Sequence, residues 1–117
     1  MDLSRFNIIH LLFIAVISSC GNTEGSTRQV LSDEIKAINF EDVRATYGYK
    51  CSICHGSEGV SVIRSAPNLV SSQLSIDERV EIISNGKTTM PPQKDVLDES
   101  MILGLAMYID SLAIAAN

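Results

Sequence analysis

The fold of this chain depends on a short stretch, Tyr49–Gly59, YKCSICHGSEG, which places Cys51, Cys54 and His55 within five positions. These are two of the three cysteines and one of the two histidines in the 117-residue chain. Such crowding is typical of a metal site, a dithiol redox pair or the attachment point of a cofactor. The rest of the sequence must distinguish among these three.

The spacing Cys51-Ser52-Ile53-Cys54-His55 is the C-x-x-C-H pattern of covalent haem attachment. Residues three apart share one face of a helical turn, so both sulfurs can reach the two vinyl groups on one edge of a haem. The adjacent imidazole can then bind the iron as an axial ligand. The pattern therefore favours a c-type haem.

Two alternatives use the same residues. A structural zinc site needs four ligands, and beyond Cys51, Cys54 and His55 the chain offers only His10 and Cys20, both near its N-terminus. A thioredoxin-like dithiol pair is expected in a strand-helix-strand context, which the sequence does not predict. Zinc and dithiol chemistry therefore remain the less favoured interpretations.

The first 19 residues are predicted to be an export signal. Arg5 precedes an apolar run over Phe6–Ile17, 12 residues long, which suits a signal peptide and falls short of the roughly 20 residues that span a bilayer. The run ends in Ile17-Ser18-Ser19-Cys20, which resembles the bacterial lipoprotein signal. The resemblance implies removal of residues 1–19 and acylation of Cys20. An ordinary secretory signal or an uncleaved anchor is the alternative.

Residues 20–34 are polar and rich in small side chains, which predicts a flexible tether. Residues 35–117 are then the folded domain. About 80 residues make a marginal hydrophobic core, so a bound group is expected to fill part of the interior. The net charge of −5 argues against a nucleic-acid partner.

Three segments of the domain carry helical signals, and no strand alternation appears. The first leads into Cys51. The second opens with a capping box at Ser75–Glu78 and stops at Asn85–Gly86, and the third begins near Asp98. The apolar positions expected to face the core are Phe40, Val43, Tyr47, Val80, Ile83, Met101, Ile102, Leu105, Ala106, Tyr108, Ile109 and Leu112.

Two long loops separate these helices, one containing Pro67 and the other containing Pro91 and Pro92. Long loops are unusual in so small a helical domain unless they have a function. The sequence therefore predicts an all-α fold whose loops enclose a bound group.

Residues from about 38 to 113 resemble a small, single-haem bacterial cytochrome c. The resemblance implies a cytochrome c-type fold, with three to four helices wrapped around one covalently bound haem c. Position by position, it implies that Cys51 and Cys54 form the thioethers, that His55 is the proximal iron ligand, and that Gly56 is the glycine that usually follows.

The same resemblance assigns Pro67 and Met90. Pro67 matches the proline whose carbonyl accepts the proximal imidazole N–H, which fixes the ring orientation. Met90 matches the distal iron ligand, and Pro91 keeps it out of helical geometry. Met101 and Met107 are the alternative ligands, although both lie on a predicted helix, where methionine usually packs.

Tyr47 matches an aromatic position where the first and last helices of this family cross, with Leu105 and Tyr108 as expected partners. The family often has a glycine eight residues before the first cysteine, where this chain has Val43. That difference predicts a wider helix crossing. Outside the crossing, Arg64 and Lys87 could pair with the haem propionates or lie solvated at the surface.

The resemblance implies a membrane-tethered carrier of single electrons in a respiratory or dehydrogenase chain, with no enzymatic activity of its own. It would be exported, held on the periplasmic side by the lipid on Cys20, and would bind redox proteins in small, transient contacts. No small-molecule substrate is expected. The alternatives are an accessory haem subunit of a larger oxidoreductase or a haem-based gas sensor, which requires a displaceable sixth ligand.

Overall fold

The computed structural model describes Val30 and residues 32–116. The chain divides into two units between Leu31 and Ser32, and the helical domain is the second unit. The expected export signal and the acylated Cys20 lie outside the described residues. Residues 32–37 are helical, so regular structure begins inside the expected tether.

From Phe40 onward, the elements of the second unit are α1 (Phe40–Thr46), a π-helical turn (Tyr47–Cys51), α2 (Ser52–His55), α3 (Ile76–Asn85) and α4 (Glu99–Ala115). Within residues 32–116 there is no strand, and the one isolated β-bridge joins Lys87 and Met90. The predicted all-α class is confirmed.

Side chains cap the N-termini of the three longer helices. Asn39 caps α1 and Asp98 caps α4. At α3 the Ser75 hydroxyl accepts the backbone N–H of Glu78, whose carboxylate accepts the backbone N–H of Ser75 at 2.8 Å. This is the predicted capping box, and α3 ends before Gly86 as expected. Local signals therefore set where these helices begin.

The core forms where α4 packs against both α1 and α3. Seven apolar side chains are buried there, and all seven belong to the predicted set: Val43, Tyr47, Ile83, Ile102, Leu105, Ala106 and Ile109. The prediction for Phe40 is wrong, because this side chain is 43% exposed. Helical side chains tilt toward the N-terminus, so a residue at the first position of α1 projects past the end of the helix.

A glycine does lie where α1 and α4 meet, but it is on α4. A Cβ added to Gly104 would lie 2.6 Å from Val43 Cγ2 and 2.9 Å from Ile38 Cγ2. Val43 thus fills the space that Gly104 leaves open. Val43 on α1 therefore does not by itself require a wider crossing of α1 and α4, since Gly104 on α4 provides the room for a close approach.

An ion pair between buried Arg79 and half-exposed Asp110 joins α3 to α4. Arg79 is 5% exposed, and its Nη1 donates to the Asp110 carboxylate at 2.5 Å. Its Nη2 donates to the Ser72 carbonyl at 3.3 Å, which fixes the end of the loop that enters α3. Among the described helices, none has the length and apolar character needed to cross a bilayer.

Candidate functional site

The two cysteines of the C-x-x-C-H stretch come from consecutive turns of the chain. The π-helical turn ends at Cys51, and α2 carries Cys54. Both thiols are free and half-buried, and Cys51 packs against the core. The structure therefore offers two unpaired sulfurs three residues apart on one helical surface.

Burial raises the pKa of the Cys51 thiol to about 11. A redox-active C-x-x-C pair instead depends on a cysteine whose pKa is lowered, because the thiolate is the attacking species. Burial shifts the pKa of Cys51 in the opposite direction, which argues against the dithiol interpretation. Nor do any three His, Cys, Asp or Glu side chains within residues 32–116 come together to hold a metal ion, so a structural zinc site gains no support.

His55 ends α2 and is 9% exposed. Its Nδ1 lies 3.1 Å from the Pro67 carbonyl oxygen. A carbonyl only accepts, so Nδ1 carries the proton and donates, and in the neutral ring Nε2 keeps its lone pair for a metal. The structure thus brings together His55 and Pro67 in the arrangement expected from the sequence.

A second hydrogen bond holds the turn after His55, and sequence reasoning missed it. The buried Tyr47 hydroxyl donates to the Gly56 carbonyl at 2.7 Å, while its ring meets Tyr108 edge to face at 5.1 Å between centroids. Burial raises the pKa of Tyr47 to about 12, so the hydroxyl remains a donor at neutral pH. The sequence did carry one signal for this bond, because a tyrosine at a predicted core position needs a hydrogen-bond partner for its hydroxyl.

Gly56 itself has φ of +73°, a conformation that residues with a Cβ rarely adopt. A Cβ at this position would also collide with the Val60 carbonyl oxygen. The chain can therefore turn sharply after His55 only because glycine is there, which agrees with its expected place after the proximal ligand.

Backbone hydrogen bonds fold the loop between α2 and α3, which carries Pro67, back on its own start. The Gly59 carbonyl accepts the backbone N–H groups of Leu69 at 2.8 Å and Val70 at 3.4 Å. The Cys54 carbonyl accepts the backbone N–H of Val62 at 3.1 Å. These bonds bring the later part of the loop back beside its start, and so keep Pro67 within reach of His55.

Met90 lies in the loop between α3 and α4, half-buried and packed against the core. Among the methionines in the described part of the chain, it is the one outside a helix. Met101 and Met107 both lie on α4, and Met101 also packs against the core. Because Met90 lies in a loop and not on a helix, its thioether can turn toward a bound group.

Apolar side chains close to the C-x-x-C-H stretch stand in solvent. They are Ile53, Val60, Val62 and Ile63, each more than two-fifths exposed. A large apolar group bound beside these side chains would remove apolar surface from water. Two free thiols, an imidazole with an available Nε2 and a loop thioether form a donor set that fits a c-type haem. Arg64 and Lys87 are exposed, and their pairing with propionates stays a prediction.

Comparison with known families agrees with this donor set. Residues 39–109 match the family described as cytochrome c oxidase, cbb3-type, subunit III. The chain belongs to this family. The matched residues run from the cap of α1 into α4 and include the C-x-x-C-H stretch, Pro67 and Met90. No curated protein matches the chain. As a cytochrome c domain, the protein carries covalently bound haem c with its iron and is a haem c electron-transfer protein.

We expect Tyr47→Phe to lower the free energy of unfolding by about 0.5–1.5 kcal/mol, because the buried Gly56 carbonyl would lose the Tyr47 hydroxyl and keep the longer bond from the Gly59 N–H at 3.3 Å. Urea denaturation of the haem-loaded protein measures this change. Tyr49→Phe is the matched control, since Tyr49 is 63% exposed and its hydroxyl lies 3.5 Å from Thr46 Oγ1. Equal losses in the two variants would show that the bond to Gly56 contributes nothing.

Proposed function

We propose that this cytochrome is tethered to a membrane and passes single electrons through a haem held by Cys51, Cys54, His55 and Met90. The observation that carries the proposal is the hydrogen bond from His55 Nδ1 to the Pro67 carbonyl at 3.1 Å. It leaves Nε2 available within a C-x-x-C-H stretch, where an axial ligand is needed.

The two cysteines are proposed to attach the haem. Each thiol would bond through its sulfur to one vinyl carbon, with its hydrogen going to the neighbouring carbon. Cys51 is placed for this role because it packs against the core three residues before Cys54. Attachment at both cysteines would hold the haem beside His55.

His55 and Met90 are proposed as the axial ligands. The haem iron supplies the one-electron couple, and a soft thioether raises its potential relative to a second histidine. Pro67 orients the His55 ring through the bond to Nδ1. No substrate bond is made or broken in this role, so we propose an electron carrier rather than an enzyme.

The family match favours one second candidate, a haem subunit of a larger oxidoreductase, because the family is described by an oxidase subunit. In both roles the partners are redox proteins of a respiratory or dehydrogenase chain. Stable co-purification with an oxidase would favour the subunit role, and recovery as a single chain would favour the carrier. A gas sensor needs an open sixth position, and Met90 packed against the core argues against one.

The membrane tether is proposed from the sequence alone. Ile17-Ser18-Ser19-Cys20 resembles a lipoprotein signal, which would place an acylated Cys20 at the mature N-terminus on the periplasmic side. Residues 20–34 would then link the lipid to the haem domain.

We expect Met90→Ala to abolish the red charge-transfer band of the ferric Met–Fe bond and to lower the reduction potential. Removing the thioether removes the soft ligand that favours reduced iron. Absorption spectroscopy and redox titration of the exported protein measure both effects.

Met101→Ala is the control for this experiment, because Met101 packs against the same core from α4. It should retain both the band and the potential. Loss of the band in Met101→Ala, with retention in Met90→Ala, would show that the ligand assignment is wrong.

We expect the full-length protein, expressed in bacteria fed a labelled fatty acid, to be labelled and recovered with membranes. Cys20→Ser should lose the label, since a hydroxyl does not replace the thiol that the lipid enzymes modify. Ser19→Ala keeps a small residue before Cys20 and should remain labelled. An unlabelled wild-type protein, or a labelled Cys20→Ser, would rule out this anchor.

A further inference from the structure

Met90 is held by a two-residue turn. The backbone N–H of Lys87 donates to the Met90 carbonyl at 3.1 Å, and the N–H of Met90 donates to the Lys87 carbonyl at 2.9 Å. Thr88 and Thr89 are the two central residues, and both are exposed. The backbone of this turn therefore sets the position from which the Met90 side chain starts.

The turn contains an unfavourable backbone conformation. Thr88 has φ of +56°, and among the described residues it is the one non-glycine residue with positive φ. Positive φ at a central position of a two-residue turn is a conformation for which glycine is preferred. A β-branched residue in this region is an outlier. Strained residues of this kind persist only where the surroundings enforce them, and they gather at functional sites.

We propose that Thr88 is a positioning residue that sets how readily Met90 leaves the haem iron. The inference rests on the proposed role of Met90 as the distal ligand. The strain at Thr88 exists while the turn is closed, with Met90 in place, and is relieved when the loop opens. The strain thus raises the free energy of the closed form relative to the open form.

The packing of Met90 and the restriction imposed by Pro91 keep the turn closed despite the strain at Thr88. Met90 packs against the core, and Pro91 restricts the Met90 backbone to extended conformations. The Thr88 side chain does not help to hold Met90 in place, because it is exposed. Substitution at Thr88 therefore changes the backbone cost of the turn and leaves the packing of Met90 intact.

The test uses the ferric haem-loaded protein and imidazole, a small nitrogen base that binds iron when the methionine has left. Imidazole affinity is read from loss of the Met–Fe charge-transfer band. Thr88→Gly should weaken imidazole binding about five- to thirty-fold, which is the cost of about 1–2 kcal/mol for a side chain in left-handed geometry converted at about 1.4 kcal/mol per factor of ten.

Thr89→Gly is the matched control, since it alters an exposed threonine of the same turn whose φ is not positive. Glycine there gives the open loop more freedom without relieving strain, so imidazole should bind as tightly as to wild type or more tightly. Thr88→Ala keeps a Cβ at positive φ and should remain close to wild type.

Hydrogen exchange provides a readout that does not depend on an added ligand. The Met90 amide is bonded within the turn, so its exchange reports opening of the loop. In the ferrous protein, Thr88→Gly should slow this exchange by a factor similar to the loss of imidazole affinity, and Thr89→Gly should not slow it.

Wild-type imidazole affinity in Thr88→Gly, or the same change in both glycine variants, would overturn the inference while leaving the ligand assignment in place. Absence of the charge-transfer band in the wild-type ferric protein has a different meaning. It would overturn the proposed role of Met90, and this inference with it.

Discussion

The hydrogen bond from His55 Nδ1 to the Pro67 carbonyl, at 3.1 Å, connects the helix that carries the cysteines to the loop that follows it. It selects the imidazole tautomer and fixes the plane in which Nε2 presents its lone pair. The bond can form only if the Pro67 loop returns to the end of α2. Gly59 holds this loop at its start, and Arg79 holds the Ser72 carbonyl near its end.

The small size of the domain gives the bound group a structural role. Seven buried apolar side chains form the core of the described region, while Ile53 and Val62 near the cysteines are about two-thirds exposed. A ligand that binds the folded chain and not the unfolded chain stabilises the fold. Haem attached to these cysteines would supply apolar contacts that a domain of about 80 residues cannot provide for itself.

Much of this architecture was predictable because its signals are local. Capping residues and helical periodicity set α3 and α4, and the resemblance placed Pro67 and Met90 in loops. The missed features are pairings between distant residues, which spacing does not encode. The sequence does not show that the Tyr47 hydroxyl meets Gly56, or that Gly104 makes room for Val43. The positive φ of Thr88 could not be predicted either, because threonine does not favour that conformation.

Everything proposed for this site requires that Cys51 and Cys54 hold the haem covalently, with His55 beside them on the iron. The decisive experiment is to denature the exported protein, extract it with acidified organic solvent and measure the mass of the polypeptide. We expect the polypeptide to keep the added mass of one haem, and neither Cys51 nor Cys54 to react with a thiol reagent. A polypeptide that loses the haem to the solvent and shows both thiols reactive would mean that the haem is not attached at these cysteines.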